Sequence, residues 1–301
     1  MAKKFQSIMV PLTTPYDKNG NILFDEFKKH LRHVLDSGVH SILVPSGTGE
    51  FANLSVEKRV SLTRAAAEEI NGKVPLVAMI SDCSTENVLE IARRMKEAGA
   101  NEAMMTPPYF SVINQRSIYE FFNKVANECG LPLWIYHQPG ETKLTVEPET
   151  MLKLAENPNI IGTKIAPGYD FFYFCRLKRL MPDNDRFSLL NGEDFDLFPS
   201  MLIGGDGGVS SLGNIMPKQF VELFNLCRNG KYDDARKIHD MIMDCYDLAV
   251  MVNTGAYQSA VKTVLMAQGF YSTNVISSPF LTILPEEEKI VLAKARKLGI
   301  A

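Results

Sequence analysis

The 301-residue chain has no apolar run approaching the roughly 20 residues that a membrane-spanning helix needs. It has no excess of basic charge. Its 32 Lys and Arg against 35 Asp and Glu leave a net charge of −3, too little to drive nucleic-acid binding by bulk electrostatics. Behind Met1-Ala2-Lys3-Lys4-Phe5-Gln6 there is no apolar signal core. The cysteines are few: Cys83, Cys129, Cys175, Cys227 and Cys245. They form no C-x-x-C pair, and their odd number fits unpaired thiols in a reducing compartment. These absences predict a cytoplasmic protein with neither a nucleic-acid nor a membrane partner. His30 and His33 lie three apart on a polar helix with no Cys or Glu at matching spacing, so no metal is expected. No G-x-G-x-x-G follows the first strand, which weakens a dinucleotide-binding fold.

What the chain does have is core-forming residues: 46% of it is hydrophobic. Length alone suggests about two domains, although α/β barrels use about 250 residues as one. Apolar runs at Ser7–Val10, His40–Pro45, Pro75–Ile80, Glu102–Thr106, Pro132–Tyr136, Ile160–Ile165, Phe187–Leu190 and Gly207–Ser210 read as buried parallel strands. Amphipathic stretches separate them: Phe24–Ser37, Val56–Asn71, Thr85–Ala98, Ser117–Cys129, Pro148–Asn157, Tyr169–Met181, Glu193–Ile203 and Met216–Cys227. Eight strand–helix units predict an α/β fold, a (β/α)8 TIM barrel over residues 1–228. Lys231–Met251, Ala256–Gln268 and Pro285–Leu298 follow without strands, predicting a C-terminal helical region over 229–301.

In such a barrel the reactive groups stand at the C-terminal strand ends. Lys164 ends an apolar run, where desolvation lowers its pKa and a neutral amine becomes a nucleophile toward carbonyls. The competing reading has its ammonium reaching solvent or pairing with a carboxylate such as Glu50. Tyr136 ends the fifth strand, and a phenol beside an amine can move protons; alternatively it is a core tyrosine. Ser46-Gly47-Thr48-Gly49-Glu50 is either a plain turn or an anion nest of converging amides with the Thr48 hydroxyl beside them. Pro107-Pro108 stiffen the loop that aims Tyr109.

These pieces occur in order with Pro11-Leu12-Thr13-Thr14-Pro15-Tyr16, Tyr136-His137-Gln138-Pro139-Gly140, Gly162-Thr163-Lys164 and Gly204-Gly205-Asp206-Gly207-Gly208. The series resembles the dihydrodipicolinate synthase / N-acetylneuraminate lyase family of pyruvate-dependent class I aldolases. The resemblance implies a barrel with a C-terminal helical region, a homotetramer built as a dimer of dimers, and a small 2-oxo acid substrate. It implies no cofactor beyond a covalent imine on Lys164. Tyr136 matches the tyrosine that moves protons, Thr48 with Gly47 the carboxylate site, and Tyr109 a tyrosine that reaches a neighbouring subunit's site.

Three positions depart from the pattern. Gly47 stands where many members carry a Thr or Ser hydroxyl that links two tyrosines, which leaves Ser46, water or direct contact of Tyr136 with Tyr109 to do so. Glu141 stands where dihydrodipicolinate synthases carry an Arg for the aldehyde's carboxylate. His137 replaces the more usual Asn and adds either a donor or titrating group near the acceptor end or a simple hydrogen bond behind the site. Asp194 and Ser211 match sugar-hydroxyl positions of N-acetylneuraminate lyases, with Glu193 nearby, and Val209 closes the substrate-binding set. The pattern is most similar to 2-keto-3-deoxy sugar acid aldolases and dehydratases. It predicts cleavage of such an acid to pyruvate and an aldehyde. The alternatives are its dehydration, condensation of pyruvate with aspartate semialdehyde by a 4-hydroxy-tetrahydrodipicolinate synthase, and a barrel that binds a sugar acid or oxo acid as a sensor.

Overall fold

A computed structural model describes residues 5–168, 170–182, 186–250 and 257–301. Eight parallel strands close into a barrel in sequence order. They are β1 Ser7–Pro11, β2 Ser41–Leu43, β3 Leu76–Met79, β4 Glu102–Met105, β5 Leu133–His137, β6 Ile160–Ile165, β7 Ser188–Asn191 and β8 Gly207–Val209. Pairing of Ser7 with Gly207 seals the ring between β1 and β8. Every expected strand is present, shifted by a residue or two at its ends.

The helices are α1 Phe24–Asp36, α2 Val56–Ile70, α3 Thr85–Glu97, α4 Gln115–Glu128, α5 Pro139–Thr142, α6 Pro148–Ala155, α7 Phe171–Leu180, α8 Leu197–Leu202, α9 Pro217–Arg228, α10 Tyr232–Val250, α11 Gln258–Ala267 and α12 Pro285–Lys297. Local chemistry sets several ends. Ser55 and Ser84 accept from the Lys58 and Asn87 amides at the starts of α2 and α3, satisfying donors the first turn leaves open. Two expectations change. The turn α5 went unread, because four residues carry no periodicity. The stretch Glu193–Ile203 is helical only from Leu197, preceded by a 3-10 turn over Asp194–Asp196. Tyr169, Met251 and Ala256, each an expected helix terminus, lie outside the described residues.

Side-chain parity divides the core. Met9, Leu43, Val77, Met79, Met104, Trp134, Leu190 and Val209 fill the barrel interior. Alternate residues, such as Ile8, Val10, Leu133 and Ile135, pack outward beneath the helices. The helices after α9 share that outer core: Ile242, Val261 and Leu265 belong to the same cluster as Ile8 and Val10. No described helix is long and apolar enough to cross a membrane.

Candidate active site

A cavity of about 450 Å³ opens at the C-terminal ends of the strands, a volume suited to a small metabolite. Lys164 on β6 and Tyr136 on β5 stand on its floor. Their Cα atoms are partners in the parallel register, so both side chains point the same way, into the barrel mouth. The Lys164 amine lies 4.0 Å from the centre of the Tyr136 ring. Burial pulls the ammonium down to about 8, while the Glu193 and Asp194 carboxylates pull against it. Burial likewise pushes the Tyr136 phenol up, helped by Glu193 and Glu141. Gly192 makes room for the lysine: a Cβ there would sit 2.8 Å from Lys164 Cε.

Glu50, named above as a possible partner for Lys164, is elsewhere. It pairs at 2.5 Å with buried Lys262 of α11 and accepts from the Ser277 amide and hydroxyl. This clasp ties the C-terminal helices to the loop after β2. Gly49 in that loop is forced, because a Cβ would meet the Leu12 carbonyl at 2.5 Å.

Gly47 and Thr48 line the cavity. Among the described residues neither backbone amide donates to a protein acceptor, so both are open to an anion. The Thr48 hydroxyl contacts Ser211 Oγ at 2.9 Å and Tyr257 Oη at 2.9 Å, and Ser211 contacts Tyr257 at 3.1 Å. Ser46 is no link between tyrosines: its hydroxyl donates to the Leu12 carbonyl and accepts from the Gly49 amide. Tyr109 reaches the rim and is 42% exposed.

Glu141, Glu193, Asp194 and Ser211 also line the cavity. Glu193 accepts from the Gly168 amide at 3.1 Å; burial pushes its carboxyl up, against Lys164 and that amide. Both Asp194 oxygens are engaged, with Ser210 Oγ at 2.6 Å and the Leu212 amide at 2.9 Å. Burial raises its carboxyl to about 6 despite those bonds. Asp194 therefore holds the loop that carries Ser211.

Two expected binding residues turn away. His137 follows Tyr136, so the period of two sends it outward. It stacks on Tyr173 of α7 at 4.1 Å and accepts from the Val146 amide, and burial lowers it to about 3. Val209 packs in the barrel interior below the cavity. Among the lining residues that went unmarked as site candidates are Thr106, Gln138, Tyr257 and Gln258. One signal was available for the last two. A helix buried from Gln258 to Leu265 that carries Gln258, Ser259, Lys262 and Thr263 must find partners for each. Among the described residues no three His, Cys, Asp or Glu side chains gather as a metal site.

Comparison with known proteins gives a family model, described as the dihydrodipicolinate synthetase family, that matches residues 4–297. The 4-hydroxy-tetrahydrodipicolinate synthase of Thermodesulfovibrio yellowstonii is 31% identical over 88% of this chain and 89% of its own. That of Staphylococcus carnosus is 33% identical over 78% of this chain and 79% of its own. Among solved structures, the dihydrodipicolinate synthase of Aquifex aeolicus superposes with a TM-score of 0.91 at 26% identity, covering 98% of this chain and 99% of that one. The chloride-inhibited dihydrodipicolinate synthase of Acinetobacter baumannii, solved with pyruvate, gives 0.91 at 25% identity over 99% of this chain and 100% of that one. With its closed barrel and a match over nearly its whole length, the chain belongs to the dihydrodipicolinate synthetase family, a family of pyruvate-dependent lyases and aldolases.

Proposed function

We propose that this protein forms an imine between Lys164 and a 2-oxo acid and uses it to make or break the C3–C4 bond. The observation that carries this reading is the Lys164–Tyr136 pair, a buried amine with no hydrogen-bond partner among the described residues, 4.0 Å from a phenol ring at the floor of a cavity. The substrate carboxylate sits on the Gly47 and Thr48 amides. The neutral amine attacks C2, and Tyr136 gives its proton to the carbinolamine hydroxyl, which leaves as water. The phenolate, beside the cationic imine, then takes the C4 hydroxyl proton as C3–C4 breaks. The bonding pair drains into the imine as an enamine. Tyr136 returns the proton to C3, and hydrolysis of the imine frees pyruvate and restores the phenol. No cofactor enters these steps.

For the other substrate half we favour a hydroxylated aldehyde, so that the acid is a 2-keto-3-deoxy sugar acid. Lys164 is the one cation among the described lining residues, whereas Glu141, Glu193 and Asp194 surround the space beyond it. A second carboxylate there would be repelled. Dehydration of the same acid is a branch of this reading, since loss of the C4 hydroxyl drains into the same imine. The second reading is 4-hydroxy-tetrahydrodipicolinate synthase, condensing pyruvate with aspartate semialdehyde; the names of the curated relatives favour it. The experiment is borohydride trapping with pyruvate, then turnover with glyceraldehyde and with aspartate semialdehyde. Trapping on Lys164 and preference for glyceraldehyde are expected. An unmodified Lys164 peptide under saturating pyruvate sinks the imine reading, and preference for aspartate semialdehyde installs the second one. A homotetramer is part of the proposal: Tyr109, Phe110 and Val112 form an exposed apolar loop at the mouth, which suits cover by a neighbouring copy. Light scattering at working concentration tests it.

A further inference from the structure

The first turn of α11 enters the cavity from outside the barrel, and the mechanism above gives it no task. Tyr257 is half-buried and joins Thr48 and Ser211 in a closed triangle of hydroxyls. Three hydroxyls bring three protons, and three edges use all of them. The triangle is thus satisfied without ligand and holds the β2 and β8 loops at a fixed spacing. Gln258 is different. It is 7% exposed and lines the same cavity, and its buried amide oxygen has no hydrogen-bond partner among the described residues. The hydroxyl of Thr106, which also lines the cavity, is likewise buried without a partner among the described residues. A buried polar atom left unpaired destabilises the fold, so a pair of them on residues that line one cavity marks where a polar ligand completes the site.

We infer that the first turn of α11 reads the substrate's hydroxyl chain: the Gln258 amide hydrogen-bonds a hydroxyl of the aldehyde half, while Tyr257 positions Thr48 and Ser211 at the cavity wall. A hydroxyl both donates and accepts, so it meets the amide in either orientation. Gln258 is a specificity-determining residue, and Tyr257 a positioning residue. The inference rests on the aldolase reading given under Proposed function.

The test condenses pyruvate with glyceraldehyde and, separately, with acetaldehyde, which lacks the chain hydroxyls. The wild type should prefer glyceraldehyde. Gln258→Met keeps the volume and removes the amide. Its kcat/KM for glyceraldehyde should fall about 10- to 100-fold, carried by KM, with the acetaldehyde rate left in place. Its Tm should equal or exceed that of the wild type, because an unpaired buried atom has gone; a merely structural amide would lower it. Equal loss with both aldehydes, a lowered Tm, an unchanged aldehyde ratio or a wild type without preference for glyceraldehyde overturns the inference. Borohydride trapping of pyruvate separates the two readings. Absence of an adduct on wild-type Lys164 defeats the aldolase reading itself, whereas an adduct with an unchanged ratio defeats only the role of α11.

Discussion

Two lysines among the described residues are buried, and each lies over a tyrosine ring. Lys164 is 4.0 Å from the Tyr136 ring centre and Lys262 is 4.4 Å from that of Tyr16. Burial pulls both ammonium groups down to about 8. They differ in what else they touch. Lys262 spends its donors on Glu50 at 2.5 Å and the Val275 carbonyl at 2.9 Å. Lys164 hydrogen-bonds to no described residue and faces a cavity. The comparison teaches that burial and a lowered pKa do not by themselves mark a reactive amine. The difference is an empty space in front of the nitrogen and carboxylates near enough to tune it but not to bind it.

The sharpest way to break this contrast is to remove each lysine. Lys164→Met should cut turnover at least about 1000-fold and abolish the pyruvate adduct, read by borohydride trapping and mass spectrometry, while Tm holds or rises. Tyr136→Phe should cost about 100- to 10,000-fold in kcat, with the adduct still formed at saturating pyruvate. Lys262→Met should do the reverse. It strands Glu50 and lowers stability by about 3–5 kcal/mol in denaturant titration, whereas Lys262→Met with Glu50→Gln should recover most of that loss. If Lys262→Met leaves stability intact, the clasp is not structural and the contrast fails.

The smallest effect is one of pH. The free-amine fraction of Lys164 grows as pH rises through its folded pKa, so the initial trapping rate should climb with a midpoint near 8. Glu193 stabilises the ammonium and so raises that pKa. Glu193→Gln should therefore move the midpoint to lower pH, by a fraction of a unit to about one unit. Asp194→Asn should move it less, since Asp194 is the weaker of the two influences. The same shift governs stability. The unfolded lysine holds its proton up to its ordinary 10.5 and the folded one only to about 8. The cost of burying the ammonium is thus full below pH 8 and is relieved as pH rises toward 10.5.

Much of the molecule was legible in the sequence, for identifiable reasons. The strands were readable because both faces of a barrel strand are buried, which leaves short continuous apolar runs such as Ile160–Ile165. The strand ends then marked Lys164, Tyr136 and Thr48. Val209 and the substrate-binding reading of His137 were misplaced although the means to place them was at hand; the other reading of His137, a hydrogen bond behind the site, is the one its contact with the Val146 amide fits. With Tyr136 facing in, a period of two turns His137 out, and Val209 is an apolar residue of a strand whose inner face is core. Glu50 was harder, because its partner Lys262 is 212 residues away. Tyr257 and Gln258 were harder still, since a helix outside the barrel count has no register with the strands.

The sequence by itself determined the barrel, the side of the barrel where chemistry is found, and the family. Periodicity, parity and turn residues are local, and each is written within a few positions. Only the tertiary structure decided which groups share the cavity. It gave Glu50 to Lys262, Ser46 to Leu12 and Gly49, both Asp194 oxygens to the β8 loop, and α11 to the mouth. The reason is physical: hydrogen bonds and ion pairs in a buried volume are settled by competition among all the groups that reach it, and distance along the chain says little about which will win.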